Sequence, residues 1–162
     1  MMLPRAAQLI EALALRPHPE GGHFNEVHRS MSPVQPCDGR PERPALTVIY
    51  FLLVAGETSR WHRVSSDEVW HYHEGDPLEL WSAPEGFDDV SRRLLGHVSD
   101  EMRPSHVVPA THWQAARSTG SYTLVACTVG PGFDFADFEM LDARPASAET
   151  LRRRHPALAE ML

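Results

Sequence analysis

The sequence predicts an all-β domain, an antiparallel sandwich or barrel with a short helix before it and a helical tail after it. Two observations carry that prediction. The run LTVIYFLLV is rich in β-branched and aromatic residues and ends in the turn Ala55-Gly56-Glu57-Thr58. Short strand candidates then follow at 59–64, 68–73, 78–82, 91–96, 106–108, 113–116 and 122–129, punctuated by Gly75-Asp76-Pro77, Pro84-Glu85-Gly86 and Ser118-Thr119-Gly120. With 162 residues and an ordinary apolar share of 42%, the chain suits one domain with a core of its own over residues 1–162.

The flanking elements follow from local chemistry. Leu9, Ile10 and Leu13 recur at helical spacing within 3–15, and Arg16-Pro17-His18-Pro19 stops that helix because proline removes a donor and restricts its predecessor. After Gly21-Gly22, residues 23–30 predict a strand with polar groups on both faces, Phe24, Glu26 and His28 sharing one parity. The proline-rich stretch 31–44 is a loop. Phe133, Phe135 and Phe138 make an aromatic stripe of the core or lid kind. In the tail, 144–162, Thr150 is the expected N-cap and Pro156 the expected interruption of a surface helix or frayed end, with Arg152-Arg153-Arg154-His155 a solvated face. Cys37 reads as a free loop thiol and Cys127 as a small core residue.

Charge narrows the function classes. A net charge of -7 lacks the basic surface that phosphate binding needs, so no nucleic-acid partner is expected. No apolar run approaches membrane-spanning length, and MMLPRAAQLIEALAL has only Arg5 and no long apolar stretch for export, so no membrane partner and a cytoplasmic location are expected.

The segment HRVSSDEVWHYHEG concentrates the chemistry. If Ser65-Ser66-Asp67 turn the chain, then His62, Val64, Glu68, Trp70 and Tyr72 share the face that points into a barrel, while His71 and His73 point outward. A buried polar pair can serve structure alone, but polar groups gathered inside a small barrel point to a ligand.

These residues resemble the cupin superfamily. Gly56, His62, Glu68 and Gly75 match its first motif, and Pro109 begins a stretch that aligns with its second and reaches Ser118. HPEGGHFNEVHRS, DEVWHYHEGDPLELW, VPATHWQAA and VGPGFDFADFEM together resemble an uncharacterised single-domain cupin family described as epimerase-like. The resemblance implies a double-stranded β-helix (jelly-roll) with its barrel core at about 21–141, and a homodimer whose N-terminal strand crosses to the partner. It also implies a metal position held by histidines and a glutamate. Here Val64 and Gln114 stand where two of the histidines would be. His62, Glu68 and Gln114 are therefore weak metal candidates, and no tight cofactor is expected.

Glu20-Gly21-Gly22-His23-Phe24-Asn25-Glu26 further resembles a pocket stretch of the deoxysugar-nucleotide epimerases, with Gly21 where those have arginine. The candidate ligand-binding residues are Phe24, Glu26, Arg29, Trp70, Trp113 and Gln114, with Phe24 able to stack on a ring and Arg29 able to meet an anion. Two functions fit. One is a proton-transfer enzyme on a small polar, carbohydrate-like substrate, with His62 as base, Glu68 setting its tautomer and raising its pKa, and Tyr72 or Tyr122 as acid. The other is a binding module without turnover, walled by Trp61, Trp70, Trp113 and Phe24.

Overall fold

The computed structural model describes residues 4–162. Helix α1 (Pro4–Ala12) packs Ala6 and Leu9 against the outside of the first sheet, near Leu52 and Leu124. The chain then forms the short strand β1 (Arg16–Pro17), β2 (His23–Arg29), a small hairpin of β3 (Pro33–Val34) and β4 (Arg43–Pro44), and β5 (Thr47–Val54). β6 (Thr58–Val64), β7 (Asp67–Gly75), β8 (Leu78–Ala83) and β9 (Ser91–Leu95) follow. After β10 (Met102–Arg103) come β11 (Ser105–Val108), β12 (Trp113–Ser118) and β13 (Tyr122–Gly130). β14 (Phe138–Met140) then leads to helix α2 (Pro145–Arg154).

The strands build two six-stranded sheets, ordered β1-β2-β5-β13-β7-β11 and β10-β9-β8-β12-β6-β14. Among the described residues, only β9 and β10 pair in parallel. This is the predicted all-β jelly-roll with helices at each end, made as two facing sheets rather than one continuously closed barrel. Neighbouring strands along the chain belong to different sheets at β5 to β6 and at β6 to β7, so the hairpin carrying His62 and Glu68 spans the two layers.

Period-2 alternation decides what each sheet buries. Between the sheets lie Phe51, Leu53, Trp70, Leu78, Leu80, Val125 and Cys127. On the outer side of the second sheet, Trp61, Trp81, Phe87 and Trp113 form a separate core with Leu141, Leu151 and Met161 of the C-terminal segment. The tail is therefore packed structure and not a frayed end. Its helix starts at Pro145 with Arg144 as N-cap, and Thr150 sits mid-helix with its hydroxyl donating to the Ala146 carbonyl (2.9 Å), so the expected Thr150 cap is corrected. Proline at the first turn needs no N–H partner, which explains the earlier start. Among the described residues, no helix is long and apolar enough to cross a membrane.

Candidate functional site

Between the sheets opens a cavity of about 440 Å³. Its first wall is a register row: Arg29 pairs with Thr47, Thr47 with Val129, and Val129 with Glu68. Arg29 reaches this row through a bulge between Glu26 and His28, which shifts parity by one and returns an odd-numbered residue to the face of Phe24 and Glu26. Ile49 and Cys127 fill the next row. The second sheet contributes His62 and Val64 from β6 and Phe138 from β14. The segments before β2 and after β13 close the rim with Arg16, His18, Glu20, Phe133, Asp134 and Phe135.

One wall of this cavity holds a titratable pair that sequence reasoning did not join, His62 and Glu20. His62 is 2% exposed, and its Nδ1 lies 2.7 Å from the Arg60 carbonyl. A carbonyl only accepts, so Nδ1 carries the proton and the neutral ring presents a lone pair at Nε2. That Nε2 lies 3.2 Å from Glu20 Oε2, and the Ser59 hydroxyl donates to Glu20 Oε1 at 2.8 Å. Burial pushes the Glu20 carboxyl up to about 8, and burial likewise lowers His62. The consistent state is a protonated Glu20 donating to a neutral His62, one proton held between two groups.

His18 completes this corner. It accepts the Glu20 backbone N–H at Nδ1 (3.2 Å), and burial, with His62 nearby, holds its pKa down at about 4. Glu20 is placed by backbone geometry: Gly21 has φ +109°, and a Cβ there would stand 2.1 Å from the Thr58 carbonyl oxygen. That contact is why the arginine of the epimerase pattern has no room at position 21.

Glu68 is 6% exposed and sits in a second network. Trp70 Nε1 donates to Gln114 Oε1 (2.9 Å), and because indole is a donor only, the Gln114 amide is turned so that Nε2 donates to Glu68 Oε2 (2.5 Å). Burial raises the Glu68 carboxyl and the Cys127 thiol beside it.

The predicted residues sort accordingly. His62, Glu68, Phe24, Glu26 and Arg29 line the cavity, with Gln114 fully buried behind Glu68. Arg29 is held by both Glu26 oxygens (2.8 Å each) and by the Phe133 carbonyl (3.1 Å). The expectation that Glu68 sets the His62 tautomer is corrected, since the Arg60 carbonyl does so and His62 pairs with Glu20.

Tyr72 is corrected out of the site: its hydroxyl donates to the Gly75 carbonyl (2.6 Å) and its ring packs on His97. A register shift between Leu124 and Val125 lies where Tyr72 pairs with β13. Tyr122 also lies elsewhere, bonded to Glu74. Trp113 and Trp61 face the outer core, because residues adjacent to Gln114 and His62 must point to the opposite side of the strand. Trp70 is buried and acts on the cavity only through Gln114. The three phenylalanines gather at the cavity, Phe133 and Phe135 with centroids 5.0 Å apart and Phe138 tilted over His62 at 5.5 Å.

The donor set does not fit the metal that the superfamily pattern implies. Val64 supplies no donor, the Gln114 oxygen is taken by Trp70, and both His62 nitrogens are engaged. Among the described residues, no three His, Cys, Asp or Glu side chains come together in an arrangement able to hold a metal ion. The chain's cations are all arginine, so no lysine is present for Schiff-base chemistry.

Comparison with known proteins agrees with this architecture. The family model described as "Cupin superfamily (DUF985)" matches residues 7–141. A hypothetical protein from Leishmania major has a similar structure, with TM-score 0.87 and 34% identity over 97% of each chain. A crystal structure of a protein from Shewanella oneidensis is similar at TM-score 0.82 and 31% identity, covering 97% of this chain and 96% of that one. An Acinetobacter L-ribose isomerase shares the fold alone, at TM-score 0.54 and 12% identity, over 78% of this chain and 77% of that one. No curated protein matches the chain.

Proposed function

The chain belongs to the DUF985 family of the cupin superfamily, and from that premise we propose that it takes a small polar, carbohydrate-like molecule into the cavity and moves a proton on it, as an isomerase-like enzyme does. The observation that carries this is the 3.2 Å contact between His62 Nε2 and Glu20 Oε2, which requires one shared proton. Such a pair always offers one acid and one base.

The protons balance without any other group. Glu20 gives its proton to the carbonyl oxygen of a substrate, and His62 Nε2, freed of that donor, accepts the proton of the adjacent C–H. An enediol forms and the pair again holds one proton, now on His62. Reversal at the neighbouring carbon completes a 1,2-isomerisation. Acid and base lie side by side, which suits proton transfer on one face. Epimerisation needs an acid on the opposite face, and Tyr72 and Tyr122 both bond outside the cavity.

Solvent deuterium exchange into candidate aldoses and ketoses, read by NMR, tests the proposal. Exchange with wild-type protein should fall by roughly 10²- to 10⁴-fold in His62→Gln, the usual worth of acid-base catalysis. A ligand that binds wild-type protein and shows no exchange sinks the proton-transfer reading for that ligand and favours binding without turnover.

A further inference from the structure

We infer that the molecule taken into this cavity carries an ammonium group, and that Glu68 is its anchor. The inference rests on the reading of the cavity as a ligand site, and it adds the chemical class of the ligand.

The first observation is an imbalance. Two other carboxyls withdrawn from solvent have protein cations: Glu79 bonds Arg92 and Arg117, and Asp137 bonds Arg40 and Arg43, while Glu20 keeps its own proton and shares it with His62. Glu68 meets only neutral partners, the Gln114 amide through Oε2 and the Cys127 thiol beside it. Its Oε1 accepts no hydrogen bond from a protein nitrogen or hydroxyl, and among the described residues no arginine or histidine lies within ion-pair distance. Yet the side chain lines the cavity while 6% exposed. A buried carboxyl lacking a positive partner favours whatever brings one.

The second observation is the wall. Phe133 and Phe138 stand 6.0 Å apart and Phe135 and Phe138 5.9 Å apart, with Phe24 beside them on the cavity surface. Ring faces attract cations. Phe24 already takes one, the Arg16 guanidinium at 5.1 Å from its centroid.

The alternatives fit less well. The donor set does not suit a metal ion, as argued above. An anion would meet Glu20 and Glu68, while Arg29, the cation closest along the wall row, is bound to both oxygens of Glu26. The net charge of -7 also attracts cations over anions from solution.

Matched probes on the full chain test this by titration calorimetry: glucosamine against glucose, and ethanolamine against ethylene glycol. The amine of each pair should bind at least tenfold more tightly than its hydroxyl counterpart, and Glu68→Gln should remove that preference. The probe comparison needs only wild-type protein, so it stands if the variant folds poorly. Equal binding of the neutral and amine members overturns the ammonium assignment while leaving a ligand cavity. Failure of both amines to bind up to about 10 mM (a free energy weaker than about -3 kcal/mol) also overturns it. Deuterium exchange dependent on His62 remains a separate readout, so the two readings fail independently.

Discussion

Replacing Glu20 by glutamine isolates the proton that the site is built around. The side chain keeps its shape: its oxygen still accepts from Ser59, and its NH2 donates to His62 Nε2 as the carboxylic acid did. What disappears is titration. The wild-type carboxyl is raised from an ordinary value of 4.5 to about 8 by burial, so between those values the folded chain keeps a proton that the unfolded chain has released. Stability therefore falls as pH rises through that window, by about 1.4 kcal/mol per pH unit for one proton, and the loss is complete once the folded group ionises.

Between pH 5 and 8, wild-type protein should lose about 4 kcal/mol relative to Glu20→Gln, a ceiling set by full retention of the proton. Urea unfolding at unit pH intervals, followed by fluorescence of the buried Trp61, Trp70 and Trp113, measures it. A difference that stays flat, or that favours the wild type as pH rises, refutes the argument. It would mean that Glu20 is an ionised partner of a protonated His62.

Three further outcomes follow from the same geometry. Trp70→Phe removes the donor that orients Gln114, leaves its buried carbonyl oxygen unpaired, and should cost about 1–3 kcal/mol in urea unfolding. Protein purified without added metal should carry well under one equivalent of Mn, Fe, Ni or Zn by elemental analysis; a stoichiometric metal that survives dialysis contradicts the donor analysis. The homodimer implied by family resemblance should appear in light scattering as twice the chain mass of 18.2 kDa, and a monomer at micromolar concentration would remove it.

Much of the fold was legible because its signals are local. The strand run at 47–54 and the turns at Gly75 and Gly120 depend on β-branched side chains and on glycine and proline, and each predicted strand from 59 onward overlaps an observed one. His62 and Glu68 were legible for the same reason, since they sit across one hairpin and share a parity. Illegible features were those that parity alone cannot carry. Trp113 and Gln114 cannot both face the cavity, and the burial of an outer face under the C-terminal segment, which decides for Gln114, is a tertiary fact. Arg29 reached the site only through a bulge. Glu20 belongs to no strand, so periodicity had no purchase on it. The sign available in the sequence was its place before Gly21-Gly22, a pair whose positive φ values turn the chain where Glu20 lies against β6.

The departures at Val64 and Gln114 and the presence of Glu20 form one change seen from two sides. A cupin that holds a metal uses cation charge to keep its glutamate ionised and its histidines as neutral ligands. With Val64 and Gln114 in place no such charge is supplied, and two buried carboxyls face a common interior with no lysine in the chain and no arginine at the floor. Each then takes one of the two routes open to an acid without a counter-charge. Glu20 keeps its proton and gives it a direction by donating to His62, which makes the pair an acid-base device. Glu68 is held through one oxygen by Gln114 and Trp70, which leaves its other oxygen for charge that arrives with a ligand. On the proposed reading, the hydrogen-bond chain from Trp70 gives Glu68 a neutral support where a metal-binding cupin would use a cation, and proton transfer with an ion pair to the ligand would take the part of a Lewis acid.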